Sequence, residues 1–250
     1  MRFRRRQVEI AAILIVLAVV VYGLRWLVFP GQAFHREMLR YLVDDVAFLF
    51  IQVLLVSLLL DGLLRRRARE VMLNKLNMII GAFFSECGTE LLGRFAEADT
   101  RLAEARADLV ATAAWTPQDY ERAKRAFREH RPVIDLDACD LSALRDRLSL
   151  EKAYLLGLLG NQALLEHETF TDLLWAVTHV AEELGARGDF SDLPRPDAAH
   201  LASDVMRAYT LLGVQWIDYL RHLQTQYPFL FSLAVRTNPL DPKTSVTVTS

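Results

Sequence analysis

Two long apolar runs near the start of the chain constrain its fold more than any other feature. They extend from Val8 to Phe29 and from Leu42 to Leu64. The hydrocarbon core of a bilayer is about 30 Å thick, and a helix of roughly 20 residues crosses it with every backbone polar group paired inside the helix. The first run also exceeds the apolar part of a secretory signal peptide, which is roughly 7–15 residues. We therefore expect a two-helix transmembrane hairpin.

Arginines lie on the outer sides of both runs, and few lie between them. The flanking arginines are Arg2, Arg4, Arg5 and Arg6 before the first run and Arg65, Arg66, Arg67 and Arg69 after the second, whereas the connection contains Arg36 and Arg40. The positive-inside rule then places both termini in the cytoplasm. We expect an integral protein of a bacterial inner membrane, with two spans in contact with the lipid bilayer and a large cytoplasmic domain.

Four polar residues lie within the predicted spans: Arg25, Asp44, Asp45 and Gln52. In an antiparallel hairpin, Arg25 falls at a depth similar to that of the two aspartates, so three interpretations are open: snorkelling to the headgroups, an ion pair, or an ion path. Gln52 lies near the middle of the second run, where an amide can hydrogen-bond to a helix of another copy. This position favours a homo-oligomer.

Beyond the arginines, apolar residues recur every three or four positions, which is typical of one face of an α-helix. The first such series is Met72, Leu76, Ile79, Ile80, Phe83, Cys87, Leu91 and Phe95. No stretch shows the alternation of a strand, so we predict an all-α fold in which a cytoplasmic helical bundle follows the hairpin. The predicted boundaries are 1–69 for the hairpin, 70–240 for the helical domain and 241–250 for a disordered tail.

Several helix ends can be read from local residues. Thr116 and Pro117 are typical of a helix N-terminus, and Asp137 or Asp140 can cap the next helix. Residues 96–114 read as continuous helix, since they are rich in Ala, Glu, Asp and Arg. Further helices are predicted from Leu164 to Leu184 and from Asp197 to Gln226.

Polar residues on the last two long predicted helices form the best candidate for chemistry. They are Glu168, Asp172, His179 and Glu182 on one helix and His200 and Asp204 on the next, with Arg207, Asp218 and His222 further along. If the two faces meet, imidazole and carboxylate groups could bind a divalent metal. The spacing from His179 to Glu182 reverses the Glu-x-x-His order of carboxylate-bridged sites. The alternatives are solvated faces or a network of salt bridges.

The sequence contains no signal for nucleic-acid binding, for a cysteine-based metal or redox site, or for a common catalytic motif. A net charge of −2 provides no basic surface for nucleic acid. Cys87 and Cys139 do not have the spacing of a metal or redox motif. The chain contains no phosphate-binding glycine loop, zinc-protease motif, nucleophile elbow or kinase motif. We therefore expect a protein that is not an enzyme and has no cofactor, with a divalent metal as the alternative.

Three functions are compatible with these features. We favour a membrane-anchored helical interaction or signalling module that binds a protein partner. The second is an oligomeric two-span pore or channel-like effector gated by its cytoplasmic helical domain, and the third is a membrane-bound metalloprotein. The apolar segment 227–235 could cover one end of the bundle, lie in the membrane interface or bind a partner.

Overall fold

The computed structural model describes residues 32–161, 164 and 167–245, together with positions 16, 20, 23 and 27. The chain divides into two compact units, Met1–Ala68 and Arg69–Ser250. Helices are the regular elements of the described residues, and the pairing of Asp99 with Ile134 is an isolated antiparallel bridge. The described part of the chain is therefore all-helical.

The first described element, α1, is one helix of 52 residues, Gln32–Phe83. The second predicted span, Leu42–Leu64, is an inner part of this helix. Between Asp45 and Asp61 lie the 15 uncharged residues 46–60, which make about 22 Å of helix, less than the roughly 30 Å of a hydrocarbon core.

The structure corrects the prediction of a membrane hairpin. Among the residues that it describes, no helix is both long and apolar enough to cross a membrane. The predicted hairpin is wrong, and with it the membrane location with two spans and cytoplasmic termini.

The polar residues predicted within the spans are only partly described. Most of the run from Val8 to Phe29, including Arg25, lies outside the described residues, so the pairing of Arg25 with Asp44 or Asp45 does too. Asp44 is described only as part of the α1 backbone, and the side chains of Asp45 and Gln52 are exposed on that helix.

Seven further α-helices belong to the described part of the second unit. They are α2 (Thr89–Ala98), α3 (Leu102–Leu109), α4 (Pro117–Glu129), α5 (Leu141–Leu159), α6 (Glu168–Gly185), α7 (Arg195–Gln226) and α8 (Pro228–Arg236). A π-helical turn, Phe84–Gly88, joins α1 to α2, and a 3-10 turn, Leu136–Ala138, precedes α5.

The long helix α7 is the centre of this unit, because it packs against α2, α4, α6 and α8. Its predicted apolar face, which includes Leu201, Val205 and Leu212, is buried. Near its C-terminal half, the ring of Phe84 lies 5.2 Å from Trp216 and stacks on Tyr219 at 5.1 Å between ring centroids. Burial of such large aromatic rings supplies much of the packing energy of a core.

The predicted helix starts are confirmed where local residues provide the cap. Helix α4 begins at Pro117, and the backbone N–H of Thr116 donates to Asp119 Oδ2 at 2.7 Å. Helix α5 begins after Asp140, whose carboxylate accepts from the N–H of Ala143 at 2.8 Å. Each carboxylate thus satisfies a backbone donor that has no partner within the helix.

The predicted continuous helix over 96–114 is wrong, because α2 ends at Ala98. Asp99 has an extended backbone with ψ at 101°. Its carboxylate accepts from His130 Nε2 at 2.6 Å and from the N–H of Val133 at 3.2 Å. These contacts with a segment more than 30 residues away satisfy the buried carboxylate and override the local helix propensity.

Candidate metal centre

The polar faces of α6 and α7 meet at the surface of the second unit. Each helix buries its opposite face in the core, as shown by Val177 and Val180 on α6 and by Leu201 and Val205 on α7. A short loop joins the two helices, which therefore lie side by side with their exposed faces adjacent.

Arg187 clamps the junction of these helices. Its guanidinium donates to both carboxylate oxygens of Asp197, at 3.0 and 2.6 Å, and to Glu183 Oε2 at 2.7 Å. Such a bidentate contact holds the start of α7 against the end of α6. The contact also fixes how the last turns of α6 and the first turns of α7 lie beside each other.

One turn away from this clamp, four side chains converge. His179 Nε2 lies 3.5 Å from Asp204 Oδ2 and 3.9 Å from Glu183 Oε1. His200 Nε2 lies 3.4 Å from the same Asp204 oxygen. One ligand atom from each of His179, Glu183 and His200 lies within 4.8 Å of the others. Two imidazoles and the Glu183 carboxylate thus lie within reach of one ion, and the Asp204 carboxylate lies beside both imidazoles.

Asp204 provides the most informative atom of this cluster. Its Oδ2 is buried from solvent and has no hydrogen-bond partner among the described residues, and the side chain is only 14% exposed. Hydrogen bonds from N–H to oxygen have lengths of roughly 2.7–3.2 Å, so the two imidazole nitrogens are too distant to donate effectively. A buried carboxylate oxygen without a partner costs free energy and calls for an explanation.

The distances match those between ligands of one metal ion. Zinc is bound at about 2.0–2.2 Å by imidazole nitrogen and carboxylate oxygen, so ligands at the corners of a tetrahedron lie about 3.4 Å apart. Asp204 Oδ2 lies 3.5 and 3.4 Å from the two imidazole nitrogens. The contact of His179 with Glu183, at 3.9 Å, requires a closure of only about 0.5 Å to meet the same geometry.

The carboxylates beside the cluster are kept ionised by the clamp. Hydrogen bonds from Arg187 hold the pKa of Glu183 below its usual value. The same guanidinium lowers the pKa of Asp197, and the two carboxylates raise the pKa of Arg187. Because Arg187 contacts Oε2 of Glu183, Oε1 faces His179 and is available to a cation.

The structure brings together three of the six residues predicted as ligands: His179, His200 and Asp204. Glu168 is exposed in the first turn of α6, Asp172 lines a separate cavity, and Glu182 is exposed outside the cluster. The sequence reasoning missed Glu183. Its spacing of four from His179 was the available signal, since residues four apart lie on the same side of a helix.

A hollow of about 280 Å³ lies beside the cluster. His179 and Asp204 form one wall, and Trp175, Ala176 and Arg207 complete the lining. Trp175 is 60% exposed, which is unusual for so large an aromatic side chain. The hollow therefore offers an apolar surface and the guanidinium group of Arg207 next to the four converging side chains.

Comparison with known proteins identifies relatives along nearly the whole chain. A family model described as "Uncharacterized protein MJ1433, C-terminal helical domain" matches residues 72–236, and one described as "MJ1433, N-terminal helical domain" matches residues 2–64. The chain is 41% identical over 246 residues to "Uncharacterized protein MJ1433" of Methanocaldococcus jannaschii, and the match covers 98% of each protein. No solved structure matches the chain.

Proposed function

The chain belongs to the MJ1433 family, and we propose that it is a helical metal-binding protein that holds a divalent transition-metal ion between α6 and α7. The observation that carries the proposal is Asp204 Oδ2, a buried carboxylate oxygen without a hydrogen bond that lies between imidazole nitrogens of two helices. A cation at this point satisfies the oxygen and both nitrogens at once.

The donor set indicates the class of metal. Imidazole nitrogen together with carboxylate oxygen suits Zn²⁺ and neighbouring first-row ions, whereas Ca²⁺ and Mg²⁺ prefer oxygen alone. His179 and Glu183 bind from α6, and His200 and Asp204 bind from α7. The ion therefore joins the two helices, and the half-exposed imidazoles leave it accessible to solvent and to a ligand in the adjacent hollow.

The test is a titration of the full chain with Zn²⁺ and Co²⁺ after removal of bound metal by a chelator. We expect one ion per chain, with the visible absorption of Co²⁺ in a low-symmetry site. A metal concentration 100 times the dissociation constant should stabilise the fold by about 2.7 kcal/mol, which raises the melting temperature by roughly 5–10 °C.

Variants distinguish the proposed site from general binding to surface carboxylates. His179→Ala, His200→Ala and Asp204→Asn should each weaken binding by at least about tenfold, because even residues that only orient a ligand contribute this much. Glu182→Gln is the matched control, since Glu182 is an exposed carboxylate of α6 outside the cluster, and it should bind as the wild type does. Equal binding by all four variants would refute the site.

A helical interaction module is the second candidate, because α8 presents apolar side chains to solvent. Phe229 is 71% exposed, and Leu230 and Leu233 are about two-fifths exposed. Exposed apolar patches on helices often bind partners. Phe229→Ser should abolish self-association measured by analytical ultracentrifugation if the partner is a second copy; a wild-type chain that is monomeric at all concentrations contradicts that form of the module.

A further inference from the structure

A second cavity, of about 620 Å³, lies where the end of α4 approaches α6 and α7. Arg128, Arg131 and Arg207 line it, contributed by α4, the segment after it and α7. Its volume falls within the range of about 300–1,000 Å³ that is typical of small-molecule sites.

The three arginines share one property. In the part of the chain that the structure describes, none of their guanidinium groups forms an ion pair or a hydrogen bond. Seven other arginines of the same unit do pair with a carboxylate: Arg94, Arg101, Arg122, Arg145, Arg147, Arg187 and Arg221. Three guanidinium groups without an ion pair therefore line one cavity.

The lining has too little negative charge to balance these groups. Asp172 is the carboxylate among the described lining residues, against three guanidiniums. Like charges held around one volume repel one another, and a bound anion removes that repulsion. The planar guanidinium donates paired N–H bonds that match the oxygens of phosphate in particular.

The segment that carries Arg131 is held in place before any ligand binds. His130 Nε2 lies 2.6 Å from Asp99 Oδ2, and the N–H of Val133 donates to the other oxygen of that carboxylate at 3.2 Å. The backbone N–H of Thr100 also donates to the carbonyl of Val133 at 3.1 Å. Binding groups on a segment anchored in this way lose little freedom when a ligand arrives.

Apart from His130 and Thr210, the rest of the lining is apolar. Pro132, Met206 and Leu211 complete the walls beside Thr210. A ligand that fits this surface combines an anionic group with a small apolar or aromatic body. The cavity is too small for a macromolecule, and the net charge of −2 disfavours nucleic acid.

We propose that this cavity binds a small organic phosphate, with the phosphate held by Arg128, Arg131 and Arg207 and the organic part against Pro132, Met206 and Leu211. The proposal does not rest on the metal centre, because it is carried by different residues. Arg207 also lines the hollow beside that centre, so the two sites are neighbours along α7.

The test is calorimetric titration of the full chain with phenyl phosphate, with a chelator present so that metal cannot contribute. We expect saturable binding at one site. Arg128→Gln and Arg207→Gln should each weaken it by at least about tenfold, the usual effect of losing a charge-assisted hydrogen bond. Arg125→Gln removes an exposed arginine of the same helix that does not line the cavity, and should bind as the wild type does.

Two results would overturn the proposal. One is the absence of saturable binding up to millimolar phenyl phosphate. The other is an equal loss of affinity in Arg128→Gln and Arg125→Gln, which would indicate attraction to overall positive charge. Circular dichroism of each variant identifies a folding defect, and Arg131→Gln replaces any variant that has one. Because the titration excludes metal, failure here leaves the metal centre untouched.

Discussion

Replacement of Gly213 by alanine tests the packing of α4 against α7. A Cβ atom built at Gly213 would lie 2.1 Å from Cζ of Phe127 and 2.3 and 2.4 Å from the Cε atoms of that ring. Ordinary contacts of a Cβ atom are 3.4–4 Å. The ring, the helix or both must therefore move by 1.3 Å or more, since 3.4 − 2.1 = 1.3.

The ring of Phe127 is enclosed in the core. The residue is 1% exposed, and its ring packs edge-on against Tyr209 at 5.2 Å between centroids. Overpacking of a closed core costs about 1–3 kcal/mol and occasionally more. Alanine recovers about 1 kcal/mol through its higher helix propensity. If overpacking costs about 3 kcal/mol, the upper end of that range, the net destabilisation is about 2 kcal/mol. This loss lowers the melting temperature by roughly 4–8 °C.

Gly157→Ala is the matched control, because Gly157 lies inside α5 and a Cβ atom there meets nothing within 4 Å. This variant should be stabilised by about 0.5–1 kcal/mol, so the two substitutions should have opposite signs. Thermal and urea unfolding of both proteins measure the difference. A Gly213→Ala protein as stable as the wild type would refute the close approach of α4 and α7.

Three further predictions concern buried and charged groups. Cys87 should not react with a thiol reagent at pH 8 until the protein unfolds, because burial raises the pKa of its thiol to about 12 and excludes the reagent. Asp99→Ala should destabilise the fold by about 3 kcal/mol in urea unfolding, since it removes the partner of the buried His130; a loss below 1 kcal/mol would contradict this estimate. Arg187 lowers the pKa of Glu183 below its usual value of 4.5, so the stability from this pair is present above that pH and is lost as the pH falls through the lowered pKa. Arg187→Gln should therefore show a weaker loss of stability below pH 4.5 than the wild type.

The helices of the second unit could largely be predicted from the sequence. The apolar spacing of α7 acts within three or four positions of the chain, and so do the residues at the starts of α4 and α5, Pro117 and Asp140. Helix formation and capping depend on those short distances, so local residues carry the information. The prediction over 96–114 failed where Asp99 found partners in a distant segment.

The apolar run of α1 led to a wrong conclusion for a physical reason of the same kind. Its residues are apolar enough to suggest a span, yet the charges at Asp45 and Asp61 confine the uncharged part to residues 46–60. A count of apolar residues gives too little weight to such charges, which are costly within a membrane. Among the described residues, no helix combines the length and the apolar character of a span.

The sequence by itself determined that the second unit is helical and where α4 and α5 begin. It also determined that α6 and α7 each have a polar face rich in histidine and carboxylate groups. Only the tertiary structure decided that His179, Glu183, His200 and Asp204 converge. It alone also placed the arginines of α4 and α7 around one cavity. The physical reason is that helical periodicity arises from contacts within about four residues, whereas the meeting of two faces depends on how buried side chains from distant parts of the chain pack together.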